Sequence, residues 1–152
     1  MPFTQQLSPL PSHLHQKLWR MDFDILTIAK NYIKALKAGK SGNELAIFFH
    51  PDIIQTELPN RLNPKGVTNN ASQILERIEK SKKLLKAQNY EIDNAIATGD
   101  TVALQISWSG VVSVSVSTLS VGQTMRGHFA MFLQFQNGQI IKQTNYHCFD
   151  DF

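Results

Sequence analysis

The sequence predicts an α+β domain in which a curved sheet is wrapped over three helices. Helical periodicity is confined to the first half of the chain, and strand alternation fills the second half. The two strongest turn signals, Gly99-Asp100 and Asn137-Gly138, each separate a pair of long alternating segments. Helices with one early strand, followed by an antiparallel meander, bury both apolar faces when the sheet closes over the helices.

Residues 1–20 hold three of the six prolines and many Gln, Ser and His, and are expected to form an N-terminal arm outside a domain spanning 21–152. The first helix starts after Asp22 or Asp24, either of which can cap it, and Ile25, Ile28, Ala29, Tyr32, Ile33 and Leu36 recur on one face. Gly39 ends it. Ser41-Gly42-Asn43-Glu44 has the form of a capping box opening a short second helix that buries Leu45, Phe48 and Phe49 and ends at His50-Pro51. A strand over 52–57 and a loop over 59–66 lead to a third helix over 70–86, with Ile74, Ile78 and Leu85 inward. Its other face carries Glu76, Glu79, Lys80, Lys82, Lys83 and Lys86, the signature of a solvated surface rather than a phosphate site.

Strands over 90–98 and 101–110 flank Gly99-Asp100, and the Val/Ser alternation of 111–121 reads as an exposed hairpin end. Strands over 124–136 and 139–149 flank Asn137-Gly138. Val102, Leu104, Ile106 and Trp108 form one core row, and Phe129, Met131, Leu133 and Phe135 another. Behind the second row lie His128, Ala130, Phe132 and Gln134, too apolar for a solvated face and suited to contact with another subunit. The last strand is mixed on both sides. Ile141, Gln143, Asn145, His147 and Phe149 make one row, and Ile140, Lys142, Thr144, Tyr146 and Cys148 the other. With the first row inward, two amides and an imidazole enter an apolar interior, which is how a wetted or ligand-filled pocket looks in sequence.

Composition excludes several function classes. The chain has 152 residues, with Lys+Arg 15 against Asp+Glu 12, so its net charge of +3 is too small and too dispersed for a strong polyanion partner. The single cysteine, Cys148, rules out a disulfide scaffold or a Cys-based zinc site and points to a reducing, cytoplasmic setting. There is no apolar run of membrane-crossing length, no Gly-rich phosphate loop and no nucleophile elbow, and residues 1–20, without a basic start and a continuous apolar core, are not expected to act as a secretory signal. His13 and His15, in the arm, and His50 lack the partners that a zinc site needs. His128 and Arg126 are expected on the convex face, and Cys148 has no evident activator.

Three segments carry a resemblance that covers about 25–152: Phe48-Phe49-His50-Pro51-Asp52 with Glu57-Leu58-Pro59-Asn60; Gly99-Asp100-Thr101-Val102-Ala103-Leu104 with Trp108; and Phe129-Ala130-Met131-Phe132-Leu133 through Asn137-Gly138-Gln139-Ile140 to Asn145-Tyr146-His147-Cys148-Phe149-Asp150. In this order and spacing the chain resembles the SnoaL-like branch of the nuclear transport factor 2-like, or ketosteroid isomerase-like, superfamily. The resemblance implies a cone-shaped roll of curved sheet and helices around one apolar cavity, and a homodimer packed through the convex sheet face.

Carried over residue by residue, the resemblance puts Tyr32 at the position of the isomerase's oxyanion-binding tyrosine and Glu57 at that of its general base. Met131 stands where the second oxyanion donor, a protonated carboxylic acid, would be. His147 stands where relatives of this type look to carry an acid. The expected catalytic residues are therefore Glu57, His147 and Tyr32, and the expected ligand contacts are Trp108, Asn145, Gln143, Met131, Phe129 and Asn60.

At the mouth of an apolar cone, desolvation would raise the Glu57 pKa toward neutrality; otherwise Glu57 is solvated or bonded to Arg61. His147 could serve as acid or base opposite Glu57, or fix Asn145 and Gln143 by hydrogen bonds. Tyr32 could donate to an oxyanion or simply pack, and Trp108 could stack on a flat ligand or fill the core. Two functions follow. One is an isomerase, cyclase or lyase acting without metal or organic cofactor on a small apolar carbonyl compound. The other is a non-catalytic dimer binding a small apolar ligand; neither involves nucleic acid or membrane. A third possibility is an interaction domain whose pocket has no ligand.

Overall fold

The computed structural model describes residues 23–152. The expected arm with His13 and His15, the alternative cap Asp22 and the domain's start at residue 21 lie outside the described residues. The first helix, α1 (Ile25–Lys37), is capped by Asp24, whose carboxylate accepts from the Thr27 N–H at 3.1 Å. It turns Ala29, Tyr32 and Ile33 into the core, and Gly39 follows it with φ +70°.

The second helix, α2 (Asn43–Ala46), is shorter than expected and the capping box does not form. Gly42, at φ +54°, takes the cap position without a side-chain bond, and Glu44 pairs with Lys40 instead at 3.1 Å. Leu45 is buried in this turn, while Phe49 already opens strand β1 (Phe49–Glu57). Pro51 thus lies inside the strand and does not end the helix. It is tolerated because the register of β1 against its neighbour is broken between Phe49 and Ile54, where a missing N–H interrupts no regular ladder.

A three-residue strand absent from the sequence reading, β2 (Val67–Asn69), pairs antiparallel with Gln55, Thr56 and Glu57 of β1. The third helix, α3 (Ala71–Leu84), has a complete capping box between Asn70 and Gln73. Leu85, expected on its inner face, is instead the first residue of β3 (Leu85–Thr98). The chain then runs through β4 (Thr101–Val112), β5 (Thr124–Gln136) and β6 (Gln139–Phe149). One mixed sheet results, in the order β2-β1-β6-β5-β4-β3, with β1 parallel to β6 and the other pairs antiparallel. This is the expected α+β roll, with the helices on the inner face of a curved sheet.

Both turn signals close hairpins. Asn137 and Gly138 take φ +51° and +76°, the double positive φ that a two-residue primed turn requires. The two predicted core rows of β4 and β5 are buried throughout. Segment 113–123 leaves the ladder after Val112, bridges Val116 to Leu119, and is tied back by the Ser113 N–H donating to the Leu84 carbonyl and the Gly122 N–H to the Val112 carbonyl, both at 2.8 Å.

β6 departs from simple alternation. Gln134 pairs with Lys142 but Phe135 pairs with Ile140, so Ile141 is an extra residue bulged from the strand. Ile140, expected outside, is therefore fully buried, while Gln143 and Asn145 face inward as expected. Among the described residues no helix is long and apolar enough to cross a membrane.

Candidate functional site

β1 and β6 run side by side in parallel, and this brings the polar residues of both strands onto one inner surface. Glu57 is the register partner of Asn145, and the loop after it is tied down by the Leu58 N–H donating to the Asn145 carbonyl at 3.0 Å. Asn60 organises that loop. Its Oδ1 accepts from the N–H groups of Leu62 (2.9 Å) and Asn63 (3.0 Å), and its Nδ2 donates to Glu57 Oε1 at 2.7 Å. The loop closes tightly because Gly66, at φ +64°, passes the Glu57 carbonyl so closely that a Cβ there would stand 2.6 Å from its oxygen.

Among the described residues Glu57 has three partners. Besides Asn60, Arg77 of α3 donates to Oε2 at 2.9 Å, and His147 Nδ1 lies 3.5 Å from Oε1. The Glu57 and His147 side chains are only 13% and 17% exposed, against 42% for Arg77. Burial pushes the Glu57 carboxyl up and is the largest single influence. The His147 and Asn60 hydrogen bonds, with the charges of His147 and Arg77, together outweigh it and hold the group below the ordinary glutamate range. The expected upward shift is thus reversed, and the alternative partner Arg61 is engaged elsewhere, with Asp151 at 3.2 Å and with the Phe152 carbonyl.

Deeper in the roll, Tyr32 donates to Gln143 Oε1 at 3.2 Å, and Gln143 Nε2 donates to Asn145 Oδ1 at 3.0 Å. All three side chains are buried, and burial pushes the Tyr32 phenol well above its usual value. Among the described residues no buried side-chain polar atom lacks a partner. Polar groups that would be costly in an apolar interior are therefore chained to one another. Tyr32 reaches Glu57 only through this chain and the Asn145–Glu57 register pair, with no direct bond.

Beside His147, across the β5–β6 pairing, the inner surface is aromatic. Trp108 stacks on Phe129 with centroids 5.2 Å apart, and the His147 ring lies 4.0 Å from that of Phe129. Phe149 meets Trp108, Phe129 and His147 edge-on. The rings have room because Gly127 faces them: a Cβ there would sit 2.7 Å from Phe129 Cε1. The Trp108 Nε1–H donates to Gln88 Oε1 at 3.1 Å, which also accepts from the Tyr90 hydroxyl, whose pKa burial pushes up to about 12. Met131, between Phe129 and Leu133 on the inner row, is buried beside Asn145.

The structure thus joins Glu57, His147 and Asn60 in one cluster, Tyr32, Gln143 and Asn145 in a second, and Trp108 with Phe129 in a third. Arg77 was missed. Its only sequence signal is its place three residues after the inward Ile74, on the flank of the buried face of α3. Gln88 and Tyr90 were also missed as partners of Trp108. An open recess of about 380 Å³ lies on the outer sheet face, lined by Ile96, Ala103, Ala130, Phe132, Tyr146 and Cys148 among others. It is across the sheet from Glu57 and His147 and belongs to a different surface.

The profile of the SnoaL-like domain family matches residues 29–143. No curated protein sequence matches. Among solved structures, AclR from Streptomyces galilaeus, named as a candidate hydroxylase, is 16% identical with a TM-score of 0.69, covering 82% of this chain and 79% of that one. IdmH from Streptomyces antibioticus, named as a candidate polyketide cyclase, is 14% identical with a TM-score of 0.69, covering 82% and 92%. A candidate polyketide cyclase from Acidithiobacillus ferrooxidans is 16% identical with a TM-score of 0.64, covering 84% and 90%. At these identities the likeness is one of fold, and the named activities are those proteins' own.

Proposed function

The chain belongs to the SnoaL-like domain family, and from that premise we propose that it moves a proton on a small apolar carbonyl compound, with His147 as the transferring group. The observation that carries this reading is the Glu57–His147 pair. A half-buried carboxylate held ionised faces Nδ1, which leaves Nε2 on the far side of the ring without a hydrogen-bond partner among the described residues. A carboxylate kept below its ordinary range is a poor base near neutrality, whereas an imidazole is suited to that pH. Glu57 therefore orients the ring. Nε2 takes the proton from the carbon next to the carbonyl, the C–H electron pair becomes the C=C bond of an enolate as the carbonyl π pair moves onto oxygen, and the imidazolium returns the proton to carbon as the C=O re-forms. Trp108 and Phe129 supply the apolar wall, and the protein works as a homodimer packed through the outer sheet face around Phe132 and Tyr146.

Deuterium incorporation from D2O into a panel of small apolar ketones, followed by NMR, tests the reading. Exchange should fall by roughly 10²-fold or more in His147→Gln, the range for losing a general base. An unchanged rate would remove His147 from the mechanism. One observation favours a second reading, a non-catalytic ligand-binding dimer: the Tyr32 hydroxyl is committed to Gln143, and Met131 offers no donor for an oxyanion. Ketones that raise the melting temperature of the protein without exchanging would select it.

A further inference from the structure

Among the described residues Glu57 is the only acidic partner of His147, and its two oxygens do different work. Oε1 faces His147 Nδ1 and Asn60 Nδ2, while Oε2 is held by Arg77 from α3, an element that supplies no other residue to the cluster. We propose that Arg77 is a positioning residue that fixes the Glu57 carboxylate so that neutral His147 carries its proton on Nδ1 and presents a bare Nε2 to the substrate. The inference rests on the reading of His147 as the proton-transferring group.

The physical argument is rotational. A carboxylate with one anchored oxygen and one free one can turn about its terminal bond, which is broad and roughly two-fold. Asn60 alone anchors Oε1, the same oxygen that must receive His147. Arg77 anchors the other oxygen with a charge-assisted bond, among the stronger hydrogen bonds in proteins, and so fixes the plane of the carboxylate. The charged and titratable groups facing Glu57 are Arg77 from α3 and His147 from β6; the loop contributes the neutral Asn60. Which ring nitrogen of a histidine carries the proton is set by the hydrogen bond made at the other one. Arg77 is thus two bonds removed from the reacting atom and still decides its state.

Long-range ¹H–¹⁵N correlation NMR on histidine-labelled protein, above the titration of the imidazole, reads the tautomer without any substrate. Wild-type His147 should show a protonated Nδ1 and an unprotonated Nε2. Arg77→Met should lose that signature, giving a mixed or Nε2–H ring, with unchanged helical circular dichroism; Arg77→Lys, which keeps a cation on Oε2, should restore most of it. A wild-type Nε2–H ring, or Arg77→Met with the wild-type tautomer, would overturn the proposal. Because the spectrum needs no turnover, absent exchange in the ketone assay with the Nδ1–H tautomer intact would count against the reaction and not against the clamp.

Discussion

The buried chain Tyr32–Gln143–Asn145 makes a quantitative prediction, because cutting it at its end or in its middle orphans different numbers of groups. Tyr32→Phe removes one donor and leaves Gln143 Oε1 unpaired, at about 1–3 kcal/mol. Gln143→Leu removes both an acceptor and a donor, so it strands the Tyr32 hydroxyl and Asn145 Oδ1 together, at about 2–6 kcal/mol by the same accounting. Neither side chain is more than 1% exposed, so water cannot replace the lost partner without entering the core. Urea unfolding at constant pH should place Gln143→Leu well below Tyr32→Phe. A melting point in a chain of this size moves by roughly 2–4 °C per kcal/mol, enough to separate the two by calorimetry. The double variant should cost less than the sum of the singles, since Tyr32→Phe has already removed one of the groups that Gln143→Leu strands. If Gln143→Leu proves no less stable than Tyr32→Phe, the three side chains are not linked as described.

Two further predictions use other parts of the molecule. The Glu57 carboxyl is held low in the folded state, so its contribution is present above the unfolded glutamate value, about 4.3, and is lost as pH falls through the folded value. The stability advantage of the wild type over Glu57→Gln in chemical denaturation should therefore disappear on acidification, and a difference that does not change with pH would contradict the assigned partners. On the outer face, Phe132 and Tyr146 are 46% and 45% exposed and meet edge-to-face, with centroids 6.0 Å apart. The proposed homodimer through this face predicts that in sedimentation velocity the wild type runs as a dimer and Phe132→Glu as a monomer, whereas a variant that stays dimeric would place the interface elsewhere.

Much of the fold was legible because its signals are local. Asp24 and Asn70 mark their helix starts, and Gly99-Asp100 and Asn137-Gly138 mark their hairpins. The core rows of β4 and β5 follow from strict alternation. The misreadings fall where no local signal exists or where two compete. A strand of three residues, β2, is too short to show a period, and it exists because β1 offers it an edge. Leu85 continues the helical stripe of α3 but also begins a strand, and pairing with Val112 decided the matter. The polar inner row of β6 is readable, yet plain alternation puts Ile140 on the wrong side because a bulge leaves no mark in composition. For Glu57, burial could be inferred from its position. Its partners Arg77 and His147 lie 20 and 90 residues further along the chain, so the sign of its pKa shift could not.

The bulge at Ile141 divides β6 into two lengths of opposite phase. Before it, even-numbered Ile140 packs inward beside Phe135; after it, odd-numbered Gln143, Asn145 and His147 face the interior. The strand behaves like two strands spliced at one residue, each free to vary its inward set without disturbing the other. Deleting Ile141 would remove the splice and force a single parity on the whole length. Either Ile140 would turn to solvent, or Gln143, Asn145 and His147 would leave the interior together.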